Sequence, residues 1–357
     1  MKYNQVEPNI NEDDINNVNE YLRSGGWITE HAKTKELEKE ISNFVGREYA
    51  ITVPNGTIAI YLSLLGLGLK NKKIAVPNIT MIATVNAVLW ADSTPVLIDV
   101  DENLCMSYED LIVHKDLDAV IFVPLNGRTG DGEKINDWCK ETGINFIEDS
   151  AHALGSSYEN TMCGNLGDMS IFSFTPHKII TMGQGGMVLT DDQEKYEFLT
   201  NLKTFNRQKD KADWHEDFGL NFKITDLQAT LGLSQFERID SFINNKKENY
   251  KNYLRLIDND AVSVLSFSDN EVPWFFDIKL DSLSSKEEFS NQLNKEEIET
   301  RNLYPALSKQ KFLEKYRESE LLISERIHEK ILWLPSSNSL VEEDIEYISE
   351  KINSINP

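Results

Sequence analysis

NFIEDSAHALGSSYENTMCGNLGDMSIFSFTPHKIITMGQGGMVLTDD, residues 145–192, holds the densest group of chemically suggestive side chains in the sequence. The apolar run Ile144–Ile147 ends in Glu148-Asp149, and a second run, Met169–Phe174, carries Ser173 near its end. Lys178 follows past a Pro176-His177 turn, with Gly183, Gly185 and Gly186 behind it. Lysine is rarely buried, and a lone one is ordinarily a solvated surface group. Here an apolar strand before it and glycines after it place Lys178 close to backbone, inside a site.

Upstream, short β-rich runs alternate with helical segments. Tyr49–Val53, Lys73–Val76, Pro95–Val100 and Ala119–Val123 read as strands, and Thr57–Leu67, Met81–Trp90 and Lys134–Thr142 as helices. Apolar strands in alternation with helices predict an α/β fold, a mainly parallel sheet covered on both faces. Sites in such sheets lie past the carboxyl ends of the strands, where Asn55-Gly56-Thr57, Asp149 and Ser173 fall. Residues 12–24 and 32–45 read as amphipathic helices. Downstream, Thr225-Asp226-Leu227-Gln228 fits a capping box, and one helix is predicted from there to about residue 256. Two β-like runs, Ala261–Phe267 and Val272–Leu280, and a helix over residues 285–293 follow. Residues 1–250 thus read as a large domain with N-terminal helices, and 251–357 as a smaller α+β domain.

The chain of 357 residues has a formal net charge of -23, which repels phosphate backbones and argues against nucleic-acid binding. An anionic substrate needs a local basic or backbone-amide site working against that field. Cys105, Cys139 and Cys163 have neither metal-ligand nor redox spacing, so a reducing compartment, the cytoplasm, is expected and no metal site is. The opening MKYNQVEPNINEDD has no apolar h-region. The most apolar stretch, Ala50–Leu69, is interrupted by Pro54-Asn55-Gly56 and suits a strand, a turn and a buried helix better than a membrane span.

Several ordered motifs join these readings: VPNGTIAIYLSL from 53, PNITMIAT from 77, TPVLIDVD from 94, PLNGRTGD from 124, IEDSAHALGSSY from 147, GDMSIFSFTPHK from 167, GQGGMVLTDD from 183 and GLNFKITDLQATLG from 219. In this order and spacing the sequence resembles the DegT-type nucleotide-sugar aminotransferases, which share the fold of aspartate aminotransferase. The resemblance spans nearly the whole chain. It implies a large domain built on a seven-stranded, mainly parallel sheet between helices that binds pyridoxal 5′-phosphate (PLP), and an amino group moved from L-glutamate to a nucleotide-linked keto-sugar.

The resemblance assigns residues in turn. Lys178 is the amine that condenses with the cofactor aldehyde and then works as general base and acid. Asp149 pairs with the ring nitrogen and keeps it protonated; an Asp at a strand end is otherwise a helix N-cap. Gly56, Thr57 and Ser173 bind the phosphate, where a helix N-terminus presents free N–H groups. Asn221 reaches the phosphate of the other subunit, which implies a homodimer with shared sites. Lys223 stands where many relatives have arginine. His152 lies near the ring, and Met81 takes a position that is commonly aromatic; a thioether still packs on a π-face. Trp27, Arg301 and Tyr304 match segments near the sugar, and Asn126-Gly127-Arg128 is a further candidate, surface exposure being the plainer reading of that arginine. Transfer to C4 of a nucleotide-linked 4-keto-6-deoxyhexose, as in perosamine-synthase relatives, is the leading expectation. Transfer to C3 is the nearest alternative. A PLP-dependent sugar dehydratase is another, disfavoured because those relatives carry histidine in place of Lys178. A non-catalytic regulator on the same scaffold is a third, disfavoured by the intact lysine, aspartate and phosphate ligands.

Overall fold

The computed structural model describes residues 1–208, 210–281 and 286–355. Two helices, α1 (Glu12–Arg23) and α2 (Ala32–Val45), lead into β1 (Tyr49–Val53) and α3 (Gly56–Gly66). The α/β alternation continues through β2 (Lys73–Pro77), α4 (Ile82–Trp90), β3 (Thr94–Ile98), α5 (Tyr108–Leu111), β4 (Ala119–Phe122), α6 (Gly132–Thr142) and β5 (Asn145–Asp149). Strands β6 (Met169–Ser173) and β7 (Gly186–Thr190) follow, then α7 (Gln193–Lys203). These seven strands form one sheet in the order β1-β7-β6-β5-β4-β2-β3. Every pairing is parallel except those of β7, which runs antiparallel to both β1 and β6.

Alternate side chains of each strand enter different cores. Ala119 and Ile121 of β4 join a cluster with Ile60 of α3, Val85 of α4 and Leu199 of α7. Val120 and Phe122 join another with Ile135 and Cys139 of α6. Burial on both faces accounts for the unbroken apolar strands, and it fixes register, since a one-residue slip would exchange the two cores.

The single helix expected from residue 225 to about 256 is two helices, α8 (Asp226–Phe236) and α9 (Ile239–Leu256). Arg238 leaves helical geometry at φ -104°, ψ 11°. Its guanidinium turns to Asp14 of α1 at 2.6 Å and to the Asn9 side chain at 3.1 Å. The apolar stripe continues through the break, so periodicity could not detect it.

The smaller sheet comprises β8 (Val262–Val264), β9 (Phe276–Leu280), β10 (Arg301–Asn302) and β11 (Ile331–Leu334), all antiparallel in the order β10-β11-β9-β8. Helices α10 (Lys286–Lys295), α11 (Leu322–Ile327) and α12 (Glu342–Asn353) complete this part. Ser285, where a helix was expected to begin, lies outside the described residues. Tyr3 packs in the same core as Ile278 and Ile348, so the chain's first residues close the small sheet's cluster. The predicted strand from Val272 is shortened at its start. Trp274 donates its N–H to Asn126 O at 3.0 Å and accepts from Lys246 Nζ at 2.8 Å, so its backbone serves the loop after β4 and α9 instead of a ladder.

Candidate active site

The carboxyl ends of β1, β2, β4, β5 and β6 open onto one cavity of about 600 Å³. Asn55, Thr80, Val123, Asp149 and Ser173 line it from those ends, and Lys178 from the loop after β6. Trp274, Arg301, Tyr304 and Gln310 close it from the C-terminal part of the chain.

Asp149 is 4% exposed. Its carboxylate accepts from Thr84 Oγ1 at 2.8 Å and from Ala151 N at 3.3 Å. Burial raises its pKa above the usual carboxylate range, against the pull of Thr84, Ala151 and the Lys178 charge. Lys178 forms no ion pair or hydrogen bond through Nζ among the described residues, which lies 3.9 Å from the Trp274 ring centroid. Burial first, and then the Arg301 charge, push this amine down to about 7 against the pull of Asp149. A lysine so placed is half neutral near neutral pH and can act as nucleophile or base. His152 stacks on Trp274 at 4.0 Å. Burial, helped by the charges of Lys178 and Arg301, holds it well below its ordinary value, so the imidazole is neutral.

At the far end, the Asn55 side chain accepts the Ile58 N–H and caps α3. The first N–H groups of a helix have no intrahelical acceptor, and those of Gly56 and Thr57 are left for a ligand in the cavity both residues line. A Cβ on Gly56 would stand 3.1 Å from Ser173 Cβ, so the serine hydroxyl borders the same helix end. Gly186 must be glycine for this geometry: a Cβ there would meet the Asn55 carbonyl carbon at 2.4 Å and force β7 away from the start of α3. This cradle suits a phosphate. A buried carboxylate facing the cavity with no cation bonded to it suits a protonated ring nitrogen, and a free amine suits an aldehyde. One molecule with a phosphate, a pyridine nitrogen and an aldehyde meets all three needs.

A family model described as the DegT/DnrJ/EryC1/StrS aminotransferase family matches residues 8–353. The chain belongs to that family. It is similar to GDP-perosamine synthase of Escherichia coli O157:H7, 36% identical, with 99% of this chain and 98% of the relative covered. The crystal structure of the aminotransferase TlmJ from Streptoalloteichus hindustanus superposes at a TM-score of 0.92, with 25% identity and 99% and 98% of the two chains covered. The E. coli GDP-4-keto-6-deoxy-D-mannose-3-dehydratase with bound hydrated PLP shares the fold at a TM-score of 0.91 and 20% identity, over 98% and 99% of the chains. As a member of the DegT/DnrJ/EryC1/StrS family the chain is a PLP-dependent sugar aminotransferase, and the cavity fits that cofactor.

Of the residues singled out in the sequence, Gly56, Thr57, Met81, Asp149, His152, Ser173, Lys178, Arg301 and Tyr304 line this cavity. Met81 keeps its sulfur on the Ala83 N–H at 3.0 Å, capping α4. Asn221 and Trp27 do not line it within one chain. The Asn221 amide oxygen accepts from Lys223 Nζ, and Trp27 is 66% exposed. Arg128 neither lines the cavity nor lies on the surface. It is 2% exposed and pairs with Asp277 at 2.6 Å, joining the loop after β4 to β9. Glu148 is structural, accepting from Tyr158 Oη at 3.0 Å and from the N–H groups of Gly164 and Leu166. Trp274, Thr84 and Gln310 also line the cavity and were not among the residues expected there. Trp274 sits in an apolar run that reads as an ordinary strand, and no local signal separates it from core.

Proposed function

We propose that this enzyme transfers an amino group from L-glutamate to C4 of a GDP-linked 4-keto-6-deoxyhexose. The observation carrying this reading is the Lys178 amine, free in a cavity that also holds Asp149, in a chain 36% identical to a GDP-perosamine synthase over nearly full length.

Bound PLP supplies an aldehyde that takes up amines and a ring that draws off electrons. The residues do the rest. Asp149, held by Thr84 and Ala151, would keep a proton on the ring nitrogen. Lys178 would act as the base that takes a proton from the donor carbon and as the acid that gives one back. Gly56, Thr57 and Ser173 would hold the phosphate. Arg301 has no acid partner among the described residues, and its charge receives the anionic groups of the substrates. Two half-reactions sharing one cavity make ping-pong kinetics the expected pattern.

We further propose a homodimer in which Asn221 of each subunit serves the other's site, and a cytoplasmic setting, which free, buried Cys105, Cys139 and Cys163 suit. No helix among the described residues is long and apolar enough to cross a membrane.

The test is a panel of GDP-, dTDP- and UDP-linked keto-sugars incubated with glutamate. The reading requires stoichiometric 2-oxoglutarate and a C4 amine on the GDP sugar by NMR. A C3 amine, or a deoxygenated sugar in place of an amino sugar, defeats it.

A further inference from the structure

Trp274 is held from several directions. Its backbone N–H donates to Asn126 O at 3.0 Å, and its carbonyl accepts from the buried Lys246 Nζ at 2.8 Å. Its indole N–H donates to His177 O at 2.6 Å, tying the ring to the residue beside Lys178. His152 and Phe275 stack on it at 4.0 and 3.8 Å. A ring fixed in this way presents its face at a defined place, and the Lys178 amine sits there, 3.9 Å from the centroid.

The other groups around the amine make this contact matter. Asp149 attracts it without forming an ion pair, and Arg301 repels it. His152 and His177 are held below their ordinary values by burial and by Lys178 itself, and burial keeps the Tyr304 hydroxyl protonated. None of these supplies a second negative charge.

We propose that the face of Trp274 is the seat of the Lys178 amine whenever that amine is not bonded to the cofactor, holding the released ammonium in place between the two half-reactions. The proposal rests on the reading of Lys178 as the cofactor-bonding lysine. Each turnover frees this amine, loads it with a proton and asks it to return the proton and bond again. A carboxylate partner would grip the ammonium through its protons. A purely aliphatic wall would give the charge nothing. An aromatic face attracts the cation and offers no oxygen lone pair to bind its N–H groups, so the protons stay available for transfer. Trp274 is therefore a positioning residue that acts through Lys178.

The test compares Trp274→Phe with Trp274→Leu, both of which lose the indole N–H while only Phe keeps an aromatic face. The holoenzyme is converted to the amine form of the cofactor. The pH dependence of Lys178 acetylation is then read by competitive isotope labelling and peptide mapping. The expected result is a wild-type midpoint in Trp274→Phe and a lowered one in Trp274→Leu, with labelling in acid about twofold to thirtyfold faster. Equal shifts in both variants would assign the effect to packing or to the His177 hydrogen bond and overturn the proposal, as would no shift in either. Should Trp274→Leu fail to fold, fluorinated tryptophans incorporated at all 6 tryptophan positions weaken the ring face with little change of shape, while only the Lys178 peptide is read. A midpoint that falls with fluorination supports the seat, and a constant one overturns it. Borohydride reduction of wild-type holoenzyme checks the underlying reading separately. A label on Lys178 with an unmoved midpoint defeats only the seat, whereas a label elsewhere removes both.

Discussion

Lys178 and Asp149 were legible because strand ends and glycines mark them within 48 residues of sequence. Their electrostatics were not, because Arg301 and Trp274 arrive from the far end of the chain. Lys178→Ala is expected to lower turnover by at least about 10²–10⁴-fold, the usual scale for losing a positioned acid–base group, and to abolish cofactor absorbance attributable to a covalent lysine link. Spectra and steady-state rates on the purified variant check both. The pH response has a defined sign. Only the neutral amine attacks the aldehyde, and burial with the Arg301 charge places its midpoint at about 7 instead of the ordinary 10.5. The rate at which apoenzyme takes up PLP should therefore climb as pH rises to about 7 and level off above it. Arg301→Gln removes a repelling charge, so the same titration should move to higher pH. A midpoint unchanged by Arg301→Gln would show that the guanidinium does not act on this amine.

Helices and strands were mostly legible, but what holds their ends was not. Thr225-Asp226-Leu227-Gln228 does cap α8 as its pattern suggests. Asp226 has a second role no local pattern could show: it caps α2, nearly two hundred residues upstream. His31, the N-cap residue of α2, makes no side-chain cap bond. The Asp226 carboxylate takes its place, accepting from His31 N at 2.7 Å, Lys33 N at 2.9 Å and Thr34 N at 3.0 Å. Asp226→Ala leaves these donors unmet and should cost about 2–4 kcal/mol of unfolding free energy in denaturant titrations. Burial pushes this carboxyl up, but the Thr34, Lys33 and His31 donors outweigh it and the folded pKa is lowered. Its contribution is thus present above the unfolded Asp value and lost as pH falls through the folded one, so variant and wild type should converge in acid. Gly186→Ala tests the other close approach. A Cβ 2.4 Å from the Asn55 carbonyl carbon must separate β7 from the start of α3. A cost of about 1–3 kcal/mol should appear as a lower Tm and as weaker PLP binding in equilibrium dialysis; unchanged affinity would detach the phosphate cradle from that contact.

At the scale of the whole molecule, alternation of strands and helices implied a parallel sheet with both faces covered, but strand order is set by crossovers that local pattern does not encode. Nor could the sequence place Asn221, which does not line the cavity of its own chain. Trp27, Ile28 and Phe218 are 66%, 54% and 70% exposed, and the backbone bridge between Thr29 and Thr225 ties the first two to the segment that carries Asn221. Exposed large apolar side chains are what a protein partner covers, and a twofold partner lying on them would carry Asn221 to the neighbouring site. Complementation decides the matter. Asn221→Ala and Lys178→Ala are each made as inactive homodimers, then dissociated together and reassembled. If Asn221 serves the partner's cavity, every mixed dimer has one site with both residues intact, formed by Lys178 of one subunit and Asn221 of the other. Random reassortment makes half the dimers mixed, so activity should return to about a quarter of wild type. If Asn221 serves its own cavity, every site in the mixed dimer lacks one of the two residues and nothing returns.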